Sequence, residues 1–251
     1  MIGKDARCIA VFGRRGAGKS TLVKSLVAGA GRLVVFDPMG EYARMPGYRR
    51  AASVGEVRKI LRASWGRGFR VAFVPEREHV KALHSLSALL WGAQIAYDDG
   101  RDTRKLLLVV EEANLGFPNR PMRPGEDAFL RLILQGRHRG IEIIAVTQRP
   151  ALVSPNFRSN AAETYCFALS DEIDLSTMRR MVGKAREAEL RAMPVHHYFR
   201  VSNGTVERGV NRLPRITETS MKAGGAQSKK PLATSRGAAR SSESNRASGR
   251  A

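Results

Sequence analysis

A glycine-rich stretch ending in lysine and serine, Gly13-Arg14-Arg15-Gly16-Ala17-Gly18-Lys19-Ser20, has the residue types and spacing to hold a nucleoside triphosphate. Glycines let a backbone wrap closely and turn successive N–H groups toward phosphate oxygens. A helix beginning at the loop's end adds its positive N-terminus. In this pattern Lys19 reaches the β- and γ-phosphates, Ser20 offers its hydroxyl to Mg²⁺, and Thr21 meets the α-phosphate.

Hydrolysis at such a loop needs acidic oxygens for the metal and the attacking water. The apolar run Leu106–Val110 ends in Glu111 and Glu112. Glu111 falls at the metal-side position, acting on Mg²⁺ through water, and Glu112 falls where a general base would polarise the nucleophile. A second apolar run, Ile143–Thr147, ends in Gln148, whose amide can donate to a γ-phosphate and orient water.

These groups need a frame that brings several strand tips together. The spacing predicts strands over 7–12, 32–36, 69–74, 105–110, 141–147 and 164–169, with a closing hairpin over 196–201 and 205–210 around Asn203-Gly204. Helices are predicted over 20–30, 54–63, 79–97, 126–138 and 171–182. Several strands are wholly apolar and alternate with helices, the pattern of a mainly parallel sheet covered on both faces. The connection over 113–125, rich in Pro and Gly, is long enough to suggest a functional loop. After about Pro214 the sequence turns to Ser, Ala, Gly, Lys and Arg, a composition that cannot bury enough apolar area to fold alone. The reading is therefore a P-loop domain over 1–213 and a disordered basic tail over 214–251.

The chain has 251 residues and a formal net charge of +20. The segment from Pro214 onward has eight Lys/Arg against two Glu, which leaves about +14 on the body. Such a field favours a polyanionic partner, most simply nucleic acid. Two separated cysteines, Cys8 and Cys166, lie in apolar runs and read as buried thiols of a reducing compartment. No apolar run approaches the ~18 residues of a membrane helix, so the expected location is the cytoplasm, or a particle assembled there. No guanine-reading motif occurs, and ATP is the expected nucleotide.

Four segments together resemble the HerA/FtsK superfamily of ring-forming DNA-pumping ATPases: GRRGAGKS at 13–20, VVFDPMGEY at 34–42, LLLVVEEAN at 106–114 and GRHRGIEIIAVTQRP at 136–150. The resemblance implies a three-layer α/β fold of the additional-strand, catalytic-glutamate P-loop type, with an extra strand between the loop strand and the acidic strand. It implies a hexameric ring with ATP and Mg²⁺ between subunits, and an arginine finger supplied by the neighbour. Arg137 matches the finger position, with Arg139 in reserve. Asp37 and Glu41 match the family's acidic segment near the active site, without an assigned role. The family usually places Asp where Glu111 stands.

Compactness and charge point, within that superfamily, to the genome-packaging ATPases of tailless internal-membrane viruses and phages. These imply double-stranded DNA as the track and a capsid vertex or portal protein as a partner. The basic stretches 44–50 and 119–123 are candidate pore loops. Alternatives are a HerA-like helicase or translocase in repair or transfer, a P-loop kinase, and a non-motor nucleotide-gated assembly protein.

Overall fold

The computed structural model describes residues 6–211; the tail read as disordered lies outside them. Nine strands form one sheet: β1 (Cys8–Phe12), β2 (Arg32–Phe36), β3 (Arg49–Ala51), β4 (Phe69–Phe73), β5 (Leu106–Val110), β6 (Ile141–Thr147), β7 (Glu163–Cys166), β8 (His197–Ser202) and β9 (Thr205–Val210). Their order is β3-β4-β2-β5-β6-β1-β7-β8-β9. The first seven are parallel, and β8 and β9 add an antiparallel hairpin at one edge. β6 lies between β1 and β5, which is the extra strand that the resemblance implied.

Burial explains the strand sequences. All five residues of β2 and of β5 are buried, as strands covered on both faces must be. The covering helices are α1 (Lys19–Leu26), α2 (Val54–Ser64), α3 (His79–Ala93), α4 (Ile95–Asp98), α5 (Ala113–Gly116), α6 (Ala128–Gln135), α7 (Pro155–Asn160), α8 (Glu172–Val182) and α9 (Glu187–Ala192). α3 packs on α2, α5 and α6, and α6 on α7. Local chemistry starts two of them. The Ser53 hydroxyl accepts from the Glu56 amide at the head of α2, and the Asp171 carboxylate accepts from the Ile173 and Asp174 amides at the head of α8.

Several elements differ from the expected ones. The helix over 79–97 is interrupted at Gln94, whose buried amide donates toward the carbonyls of Arg104 and Gly140. The helix over 126–138 gives way to a 3₁₀ turn at Gly136. The long 113–125 connection holds the one-turn helix α5 and a bridge from Pro118 to Val153. Within the basic stretch 44–50, Arg49 and Arg50 enter edge strand β3, which is too short to carry an alternating pattern. Arg120 of the other stretch is gripped bidentately by Glu126 at 2.7 and 2.9 Å. Arg50 and Arg123 stay exposed.

Cys8 and Cys166 are unpaired, and burial pushes both thiols up to about 12. Among the described residues no helix is long and apolar enough to cross a membrane.

One buried ion pair ties the sheet to its flanking loops. Arg32, at the start of β2, is 2% exposed; it donates to Asp102 at 2.7 Å and to the Trp65 carbonyl at 3.0 Å, and stacks on the Trp65 ring at 4.1 Å. Breaking such a pair leaves a buried charge short of its partner. Asp102→Ala is expected to destabilise the protein by about 3 kcal/mol, read as a lower urea midpoint with an unchanged slope.

Candidate nucleotide site

The glycine-rich loop leaves β1 and is held from outside by two close approaches. The Arg14 amide donates to the Ala168 carbonyl at 2.7 Å, just beyond β7. A Cβ on Gly13 would stand 2.5 Å from the Phe167 Cβ, so this crossing admits no side chain. Gly18 has φ +105°, and a Cβ there would meet the His196 Nδ1 at 2.7 Å. The His196 amide donates to the Ala17 carbonyl at 2.9 Å, and the Asn211 side chain donates to the Gly18 carbonyl at 3.1 Å. The segments flanking the closing hairpin thus brace the loop.

Lys19 folds back on its own loop, donating to the Gly13 and Arg14 carbonyls at 2.7 and 3.0 Å. Burial pulls its ammonium below the usual lysine range, while Glu112, Glu111 and Glu41 pull it back up. A cavity of about 400 Å³ opens beside it, lined among others by Gly16, Ser20, Glu41, Glu111, Glu112 and Gln148. Ala17 is buried behind the loop, and Arg14 and Arg15 are exposed. Thr21 lies in the first turn of α1 and is half-buried.

The two glutamates reach this cavity by different means. The Glu111 amide still donates to the Phe36 carbonyl of β2, so its backbone extends the sheet. Glu112 takes φ +45°, a left-handed conformation that costs a non-glycine residue about 1–2 kcal/mol and turns the chain into α5. Strain of this kind concentrates at functional sites. Gln148, at the tip of β6, donates to the Glu112 carboxylate at 2.7 Å. The buried Tyr42 hydroxyl donates to Glu111 at 3.1 Å. Burial, the largest influence, pushes Glu111 up to about 7; the Tyr42 hydrogen bond acts against that rise, as does Lys19.

Tyr42 owes its position to Asp37. The Asp37 carboxylate is fully buried and accepts from the Glu41 and Ala43 amides at 2.9 and 3.0 Å, which fastens the turn carrying Tyr42. Burial raises Asp37 above the usual carboxylate range, and those amides pull it down. Asp37 therefore builds the turn, while exposed Glu41 faces the cavity. Sequence reasoning marked Asp37 and Glu41 and passed over Tyr42, although all three lie in VVFDPMGEY. It also passed over Asn114, which accepts from the Thr147 hydroxyl at 2.7 Å and locks the strand end before Gln148.

Arg137 does not join this cavity. It precedes β6, whereas Gln148 follows it, and a seven-residue strand spans on the order of 20 Å. Arg137 is exposed and lines a different cavity with Arg7, Cys8 and Ile141. Arg139 is committed inside the chain, its guanidinium 4.4 Å from the Trp91 ring centre and 3.4 Å from Asp98.

Residues 5–88 match the model of a family described as the central domain of the helicase HerA. Over that segment, a third of the chain, the sequence is similar to that domain. No curated protein matches it. Among solved structures it is similar to the genome packaging NTPase B204 from Sulfolobus turreted icosahedral virus 2 in complex with AMPPCP. That match has 17% identity and a TM-score of 0.63, over 82% of this chain and 98% of the other. It is also similar to B204, the DNA-packaging ATPase from Sulfolobus turreted icosahedral virus, at 18% identity and a TM-score of 0.59, over 83% and 98% of the two chains. VirB4 of Thermoanaerobacter pseudethanolicus matches at 13% identity with a TM-score of 0.59, over 85% and 91%. At these identities the structural likenesses show the fold alone, a mostly parallel α/β fold like that of P-loop ATPases.

The raised Glu111 has a consequence for stability. Its folded-state value of about 7 exceeds its ordinary value of 4.5, so the unfolded chain releases this proton first. Stability is intact below about 4.5 and falls as pH rises toward about 7. Glu111→Gln removes that loss. The nucleotide-free variant is expected to melt higher than wild type at pH 8 and to converge with it near pH 4.5, measured as Tm across a buffer series.

Proposed function

We propose that this protein is an ATP-hydrolysing motor that moves double-stranded DNA, with packaging of a viral genome into a capsid as its most specific form. The observation that carries the reading is the convergence of Lys19, Ser20, Glu111, Glu112 and Gln148 on one cavity of nucleotide scale. The solved structures that it resembles include proteins described as a genome packaging NTPase and a DNA-packaging ATPase. The net charge of +20 suits a phosphate backbone.

In this reading, backbone amides of residues 13–18 cradle the phosphates. Lys19 swings from the Gly13 and Arg14 carbonyls onto the β- and γ-phosphates. The exposed Ser20 hydroxyl and Glu111, the latter through water, would hold Mg²⁺, and the ion would supply positive charge against the phosphate oxygens. Among the described residues no group of three or more His, Cys, Asp or Glu is gathered as a metal cage; two protein ligands suit an ion that keeps its waters and rides on the nucleotide. Glu112 takes the proton of the attacking water, with Gln148 orienting that water and reading the γ-phosphate. Tyr42 fixes the Glu111 carboxylate.

Arg137 acts in trans. Its exposure at the far end of β6, with no ion pair among the described residues, frees it for a neighbour's nucleotide in a hexameric ring. A trans guanidinium makes hydrolysis depend on assembly and contributes about 10³–10⁵ in rate. A capsid vertex or portal protein is the partner that packaging requires. The cytoplasm, or the particle filled there, is the matching location. A HerA-like helicase in repair or transfer uses the same site. A kinase would need an acceptor pocket where Glu112 and Gln148 hold water.

Hydrolysis is expected to rise on addition of long double-stranded DNA and to lose that stimulation with salt. Lys19→Ala and Arg137→Ala are each expected to lose activity, the latter by about 10³. Mixing the two inactive proteins should restore part of it, because one supplies intact loops and the other intact fingers. Full activity in a monomeric Arg137→Ala protein, or hydrolysis indifferent to DNA, would overturn the motor.

A further inference from the structure

A second concentration of positive charge lies on the helices flanking β7, apart from the nucleotide cavity. α7 and α8 enclose a cavity of about 450 Å³ whose lining includes Arg158, Ser159, Ser176, Thr177 and Arg180. Ser176, Thr177 and Arg180 share one face of α8 by helical spacing, and Leu175, Met178 and Val182 are buried. Arg158 projects from α7.

The charge balance here is unusual for this chain. Every acidic side chain between 171 and 192 is already engaged elsewhere. Asp171 caps α8 and meets Arg149, and Asp174 accepts from Arg149 and from the Ala151 amide. Glu172 pairs with Arg191, Glu187 with Arg179 and Glu189 with Arg208. Among the described residues no acidic side chain lines the cavity with Arg158 and Arg180. The Arg158 Nε is sealed from solvent and has no acceptor among the described residues, which costs free energy in a folded protein. Burial first, then the nearby Arg180, draws the Arg158 guanidinium below its usual range, against a weaker pull from Asp174. The Ser176 and Thr177 hydroxyls stand beside them.

We propose that Arg158 and Arg180, with the Ser176 and Thr177 hydroxyls, form a phosphate-binding site that grips the backbone of double-stranded DNA. Two guanidiniums and two hydroxyls are donors matched to tetrahedral oxyanions. No aromatic side chain lines the cavity on which a base could stack, so the contact is with the backbone and ignores sequence. A carboxylate from a second copy fits less well, because the chain has 43 Lys/Arg against 23 Asp/Glu and pairs many of those acids internally. This site rests on the motor reading above. It also adjoins the catalytic strand: through Asp174, α8 holds Arg149 and Ala151, the residues that follow Gln148.

The test is duplex binding by the full chain over a salt series, with ATP hydrolysis measured with and without DNA. Arg158→Gln/Arg180→Gln is expected to lower affinity by about tenfold or more near 0.1 M salt and to flatten the slope of log K against log salt by about 2, one for each lost phosphate contact. The DNA-free hydrolysis rate stays at the wild-type value, since neither residue touches the nucleotide cavity, and only the DNA-stimulated part falls. Arg158→Lys/Arg180→Lys keeps the charges and restores most of the slope, which separates lost contacts from a damaged fold. An unchanged slope in the Gln variant, with wild-type DNA binding intact, overturns the site and leaves the motor standing. Loss of the assembled ring without loss of the slope assigns the pair to a subunit contact instead, and also overturns it. Binding of inorganic phosphate alone, with no duplex bound by the wild-type chain, overturns both.

Discussion

The mouth of the parallel sheet is the constraint on which the rest of the molecule depends. β1, β5 and β6 lie side by side and end at one edge, so their next residues meet in one cavity. A parallel sheet makes this unavoidable, because every strand delivers its C-terminal residue to the same rim. The loop after β1 brings Lys19 and Ser20, β5 delivers Glu111 and Glu112, and β6 delivers Gln148. Apolar strand interiors are what permit the arrangement, since buried backbone must be paired on both sides.

That rim is electrostatically costly. Glu111 is deep enough that burial pushes it up to about 7, and Lys19 is drawn down by the same burial. The protein offsets the cost with short internal contacts. Tyr42 donates to Glu111, Gln148 donates to Glu112, and Lys19 donates to two carbonyls of its own loop. Glu112 stands in the left-handed region, a strained conformation for a residue other than glycine.

Positive charge is distributed in three ways. Arg32, Arg120 and Arg139 are consumed by ion pairs that build the fold. Arg137 stands exposed at the far end of β6, away from its own cleft. Arg158 and Arg180 crowd one cavity that no acid among the described residues lines. Composition records all of these as the same net charge, and only position separates the structural arginines from those free to act.

The sequence by itself determined the phosphate loop, the strand–helix alternation, the two glutamates and the glutamine at strand ends, because these follow from local spacing and apolar runs. It also placed the extra strand, through the likeness of four short segments to a known superfamily. It did not reveal Tyr42 as the partner of Glu111, nor Asp37 as the fastener of that turn, because a hydrogen bond across 69 positions leaves no local pattern. It treated the Arg44–Arg50 and Asn119–Arg123 stretches as loops of equal promise, whereas β3 pairing and the Arg120–Glu126 clasp differentiate them. The bracing of Gly18 by His196 and Asn211 was invisible for the same reason. Residue type and spacing fix which chemistry is available; only the packing of distant segments decides which side chains are spent on holding the fold and which are left to perform it.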